Sequence, residues 1–109
     1  MTQHIGINDL HQQLTTIQTK DGVDLILDVR SPEEYASGHV PGSQNIPHTE
    51  VIASQNELKK YQRIFIYCQA GRRSQVAAAA LESQGFQNLI CVSGTGMAQW
   101  IAAGYPTEE

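Results

Sequence analysis

The segment Arg63-Ile64-Phe65-Ile66-Tyr67-Cys68-Gln69-Ala70-Gly71-Arg72-Arg73-Ser74-Gln75-Val76-Ala77-Ala78-Ala79-Ala80-Leu81-Glu82 predicts a strand, a short loop and a helix in immediate succession. Residues 63–67 are dense in β-branched and aromatic side chains, the composition of a buried strand. From Ser74 onward strong helix formers run without a competing turn signal until Gly85, which suits a C-terminal cap. Cys68 lies between the two, in a Gly-containing loop. Several backbone N–H groups can converge on one point there, and the helix dipole adds about half a positive charge.

The same alternation extends in both directions. On the N-terminal side, Asn8 to Lys20 places Leu10, Leu14 and Ile17 at helical spacing, with Asn8 or Asp9 available as cap and a turn at Asp21-Gly22. Val23 to Val29 is short and apolar, a buried strand expected near the centre of a sheet. Ser31-Pro32-Glu33-Glu34 carries a Ser cap, a Pro at the first helical position and a Glu three residues after the Ser, so a helix should start there and end at Gly38. A short strand is expected around Asn45-Ile46 and a helix from about Thr49 to Asn56 or Leu58. On the C-terminal side, Asn88 to Val92 reads as a strand. Gly96 to Ala103 reads as an amphipathic helix closed by Gly104, with Trp100 and Ile101 facing the core. Alternating strands and helices with right-handed crossovers predict an α/β fold whose mostly parallel sheet is covered on both faces. Reactive loops in such sheets lie at the carboxyl ends of the strands, where Cys68 stands.

At 109 residues, 40% hydrophobic and 17% charged, the chain has the size and apolar content of one domain spanning 1–109. Seven basic against eleven acidic residues give a net charge of −4, which disfavours nucleic acid and anionic membrane surfaces as partners. The N-terminus shows no secretory pattern and no apolar run reaches the roughly 20 residues of a membrane span, so a cytoplasmic location is expected. Two cysteines are too few for a disulfide framework or a thiolate zinc site, which makes thiol reactivity the expected role of Cys68.

Backbone donors, the helix terminus and the charges of Arg72 and Arg73 should together lower the pKa of Cys68 and attract an anion. A core thiol would need neither a glycine three residues later, nor paired arginines, nor a helix starting within six residues. Asp28, Arg30 and Glu33 are expected to form an ion-pair and capping network around the loop after their strand, and His39 to bond loop backbone. Cys91, inside an apolar strand, is expected to be buried and inert. His4, His11 and His48 show no ligand spacing, and Ala77 to Ala80 suit close packing of a helix on a sheet.

Around this loop the sequence resembles the single-domain rhodanese (thiosulfate sulfurtransferase) family. Leu27-Asp28-Val29-Arg30, Glu33-Glu34-Tyr35, Gly38-His39-Val40-Pro41-Gly42-Ser43 and Asn45-Ile46-Pro47 look like the family's N-terminal signature. Tyr67-Cys68 through Ser74 looks like its active-site loop, and Met97, Trp100 and Gly104-Tyr105-Pro106 look like its C-terminal end. One departure is Gly94-Thr95-Gly96-Met97, where many members carry a Gly-Gly pair. The resemblance implies a rhodanese-like three-layer α/β fold with a sheet of about five strands. It also implies a ping-pong sulfurtransferase in which Cys68 takes the outer sulfur of thiosulfate, or of a similar small-molecule donor, as a persulfide and passes it to a thiophilic acceptor. The acceptor would be a thiol or cyanide, a thioredoxin-like protein among the candidates, and no metal or organic cofactor would be needed. By position Cys68 is the nucleophile and the amides from Gln69 through Ala70, Gly71, Arg72 and Arg73 to Ser74 form the cradle. Arg73 closes the loop, and Arg72 is a second contact for the donor's anionic end.

Two other classes compete. Related folds use a cysteine and an arginine around an oxyanion in phosphatases and arsenate reductases, but there five residues separate the pair and here four do. Rhodanese-like domains also serve as silent docking modules, which typically lose the cysteine retained here.

Overall fold

The computed structural model describes residues 2–109. The strand read from residues 63–67 forms with those bounds (β4 below) and is the middle member of a five-stranded sheet whose pairings are all parallel. In chain order the elements are β1 (Gln3–Ile5), α1 (Ile7–Gln13), β2 (Asp24–Asp28), α2 (Pro32–Ala36), β3 (Gln44–Asn45), α3 (Gln55–Leu58), β4 (Arg63–Tyr67), α4 (Arg73–Ser83), β5 (Leu89–Val92) and α5 (Met97–Ala102). The sheet order is β1-β5-β4-β2-β3.

The period-two alternation of side chains divides the apolar residues of β2, β4 and β5 between two cores. Leu25, Leu27, Ile64, Ile66, Leu89 and Cys91 face one side with Ala77, Ala78 and Leu81 of α4 and Leu58 of α3. Ile26, Phe65, Tyr67, Ile90 and Val92 face the other, with Ile7 and Leu10 of α1 and Met97 and Trp100 of α5. The small side chains of Ala77 and Ala78 allow α4 to lie close on the sheet. Fully burying one such leucine or phenylalanine contributes about 1.5–3 kcal/mol, so the two cores together make the sheet a stiff base for the loops above it.

Several sequence expectations need correction. β1 was not expected: three residues with two exposed side chains carry no strand period, and pairing with β5 through Gln3, His4 and Ile5 forms it. The first helix stops at Gln13 rather than Lys20, because Thr16 turns its hydroxyl back onto the Gln13 carbonyl and Leu14 and Ile17 pack from a turn. Its N-cap is Gly6, whose N–H is taken by Asp9, so Asp9 serves inside the helix and Asn8 does not cap. The helix expected from Thr49 is instead a 3-10 turn at His48–Glu50 followed by the single turn of α3. In α5, Trp100 is buried but Ile101 is 57% exposed, since one further residue rotates about 100° away from the Met97–Trp100 face. Among the described residues no helix is long and apolar enough to cross a membrane.

Candidate active site

The loop from Cys68 to Arg72 joins the carboxyl end of β4 to the amino end of α4. The sulfur of Cys68 is turned towards the α4 side of the sheet and the residue is only 1% exposed. Gly71 N–H donates to Sγ at 3.1 Å and Ser74 N–H at 3.3 Å, with Ser74 Oγ at 3.5 Å. Burial alone would push the thiol up, yet the Ser74 hydroxyl and the N–H groups of Ser74, Gly71 and Ala70 outweigh it and hold Cys68 below the ordinary thiol value. Hydrogen bonds produce this lowering; the arginine charges, expected to act together with them, are not among its causes. Within the expected cradle, Gln69, Arg72 and Arg73 make no hydrogen bond to Sγ.

Glycines make the geometry possible. Gly71 has φ +94°, and a Cβ there would strike the backbone of Gly94 and Thr95. Gly96 faces the loop from the other side, where a Cβ would collide with the carbonyls of Cys68 and Gln69. Those carbonyls accept hydrogen bonds from Met97 N–H at 2.9 Å and Ala98 N–H at 3.2 Å, so the start of α5 buttresses the loop. The Gly94-Thr95-Gly96-Met97 departure therefore supports the Cys68 loop by direct backbone contact.

The two arginines separate in role. Arg73 forks onto both carboxylate oxygens of Glu34 at 2.7 and 2.9 Å, tying α2 to α4. Arg72 is exposed and forms no ion pair among the described residues. Glu34, not Glu33, joins the ion-pair and capping network: besides holding Arg73 it accepts from the N–H and hydroxyl of Ser31, while Ser31 Oγ caps Glu34 N–H. Glu33 is exposed and has no part in this network. Arg73 first, with burial opposing and Ser31 assisting, brings the Glu34 carboxyl down to about 2. A carboxyl depressed on folding contributes stability that is fully present above its unfolded value and is lost as pH falls towards its folded value. The thermal-stability gap between wild type and Glu34→Gln is therefore expected to be widest above roughly pH 5 and to close as pH approaches about 2, as a melting series across that range would show.

Beneath the loop, Arg30 is 3% exposed and binds Asp28, which is fully buried, through Nε and Nη2 at 2.8–3.1 Å. The same guanidinium donates to Gly38 O at 2.7 Å and to Gln69 Oε1 at 3.1 Å. His39 stacks on Tyr35 and bonds its carbonyl oxygen at 2.8 Å, so its ring meets the backbone of α2 and not, as expected, that of a loop. Cys91 is buried in β5, where desolvation, only partly offset by Ser93 and Ser74, pushes its thiol up.

The rhodanese-like domain family matches residues 9–103 of the chain. The chain belongs to that family. Rhodanese-like relatives include a thiosulfate sulfurtransferase, GlpE, of Pseudoalteromonas translucida, 35% identical over 81% of this chain and 84% of its own length. Another is YrkF of Bacillus subtilis, whose name marks it as a candidate sulfur carrier protein; it is 47% identical over 69% of this chain. That match spans only 40% of YrkF. A rhodanese-related protein from Thermoplasma volcanium superposes with a TM-score of 0.79 at 30% identity, covering 97% of each chain. Rhodanese folding of this sequence is thus matched in both sequence and architecture.

Proposed function

We propose that this rhodanese-like chain moves a sulfane sulfur from thiosulfate, or a similar small anionic donor, to a thiophilic acceptor through a persulfide on Cys68. The observation that carries the reading is a buried sulfur facing Gly71 N–H and Ser74 N–H at 3.1 and 3.3 Å. In the first half-reaction the Cys68 thiolate attacks the outer sulfur of thiosulfate, the Sγ–S bond forms, and the S–S bond of the donor breaks with its electron pair leaving on sulfite. In the second, a thiolate or cyanide attacks the outer persulfide sulfur and Cys68 departs as thiolate. Amide hydrogens already aimed at the sulfur stabilise both anionic states without reorganising. The name of the thiosulfate sulfurtransferase relative supports a small-molecule donor; a thiol as the acceptor, a thioredoxin-like protein included, is part of the proposal. Commitment of Arg73 to Glu34 removes it from the inward oxyanion role that a phosphatase would demand, and so favours sulfur over phosphate.

Treatment with thiosulfate, mercaptopyruvate or an organic persulfide, each followed by intact-mass measurement, tests this reading. Thiosulfate is expected to add one sulfur atom that cyanide or a thiol then removes. An unmodified protein that hydrolyses phosphate esters would defeat the proposal.

Arg73→Ala is expected to slow sulfur loading by about tenfold or more, because the loop loses its tie to α2. The pair is about one-third exposed, so the accompanying loss of stability should stay below about 1 kcal/mol. Single-turnover loading and denaturant melts separate the two; comparable losses in both would remove Arg73 from the site.

A further inference from the structure

The turn of chain direction in the sheet falls between β2 and β4. From β2 the chain moves outward to β3, and from β4 it moves the other way to β5, so the loops leaving these adjacent strands diverge. A crevice opens outside the carboxyl ends at such a point. Two side chains meet across it, Arg30 from beyond β2 and Gln69 from beyond β4.

Their contact fixes the orientation of an amide. A guanidinium has donors only, so the carboxamide of Gln69 must turn its oxygen to Arg30 Nη1, at 3.1 Å, and its NH₂ away from it. Arg30 cannot swing to follow another partner, since Asp28 and the Gly38 carbonyl hold the rest of its guanidinium in a nearly sealed site. The backbone of Gln69 is fixed as well, through Ala98 N–H to its carbonyl. The NH₂ of Gln69, on a half-buried residue next to Cys68, makes no hydrogen bond within the described residues.

We propose that the Gln69 carboxamide is a substrate-binding group that donates hydrogen bonds to the anionic end of the sulfur donor, with Arg30 as the positioning residue that keeps its NH₂ turned towards the crevice. This rests on the proposed sulfur transfer for its substrate, although the preference of the site for anions can be read without it. Arg30 places its charge on Asp28 and passes orientation, not charge, to the mouth of the site. Arg72 then supplies long-range attraction, and Gln69 the short-range contact.

The test compares the rates at which iodoacetate and the neutral iodoacetamide alkylate Cys68, with Cys91→Ser as background. Their ratio cancels the fraction of thiolate and reports only how the site treats an anion. Gln69→Leu and Gln69→Met are both expected to lower the ratio by about tenfold, the factor associated with one hydrogen bond to a charged group. KM for thiosulfate should rise by a similar factor with kcat little changed. Gln69→Met, uncharged, close in size and without a donor, serves if the leucine variant does not fold. An unchanged or raised ratio in Gln69→Leu overturns the assignment, because a freed Arg30 would then be the anion contact. A wild type that takes no sulfur from thiosulfate defeats the proposed function instead, and the alkylation ratio still decides the role of Gln69.

Discussion

Cys68→Ser is expected to carry no added sulfur after thiosulfate treatment and to lose turnover by at least about 10⁴-fold, the scale seen when a nucleophile is removed from an otherwise intact site. The variant should nonetheless fold. A hydroxyl can accept the same N–H bonds from Gly71 and Ser74, and the exchange removes little volume from a core that rests mainly on Leu25, Leu27, Ile64, Ile66 and Leu81. Oxygen at this position is not ionised near neutral pH and forms no persulfide, so chemistry is lost while architecture stays. Cys91 offers no substitute: its thiol is pushed up by burial and lies inside a strand. Sulfur retained by Cys68→Ser in an intact-mass spectrum would transfer the nucleophile's role to Cys91.

Gly96→Ala should have the second largest effect, although it adds a single methyl group at a position with no reacting atom. The new Cβ would occupy the space of the Cys68 and Gln69 carbonyls, which are backbone and cannot rotate away. Either the start of α5 retreats, breaking the Met97 and Ala98 hydrogen bonds, or the loop moves and withdraws its amides from Sγ. Overpacking of this kind costs about 3 kcal/mol. Loading by thiosulfate should fall by about 10²-fold even in molecules that remain folded, because a displaced amide no longer meets the sulfur. Gly85→Ala is the fitting control. No atom lies within 4 Å of a Cβ at that position, and its left-handed φ of +95° strains the backbone beyond the end of α4 that is distant from the loop. Equal loading by wild type and Gly96→Ala would show that the buttress does not position the loop.

How much of this could be read in the sequence depends on the range over which each feature is determined. β4, the loop and α4 are set locally, by β-branched residues, one glycine and a run of alanines, and they formed within a residue of their expected bounds. The capping box of α2 is equally local. β1 is not: its pattern is polar, and only β5 makes it a strand. The same distinction holds in the site. Cys68 and its Gly71 and Ser74 donors are neighbours in sequence and were legible together. Glu34 and Arg73 lie 39 positions apart, as do Arg30 and Gln69, and no local pattern joins them. Glu34 did carry a signal, being the third residue after a Ser cap, but a carboxylate can close a capping box without also holding an arginine. Gly96 looked like a loop irregularity because the reason for a glycine there is the backbone of residues 68 and 69.

The claim on which the rest depends is that hydrogen bonds from its neighbours hold the Cys68 thiol below its ordinary value in spite of burial. Thiolate ultraviolet absorbance, followed against pH in Cys91→Ser, tests it most directly. The midpoint for Cys68 should lie below the ordinary value of 9.0, and in the reciprocal Cys68→Ser protein Cys91 should titrate above it. A Cys68 midpoint at or above that of a free thiol would contradict the account.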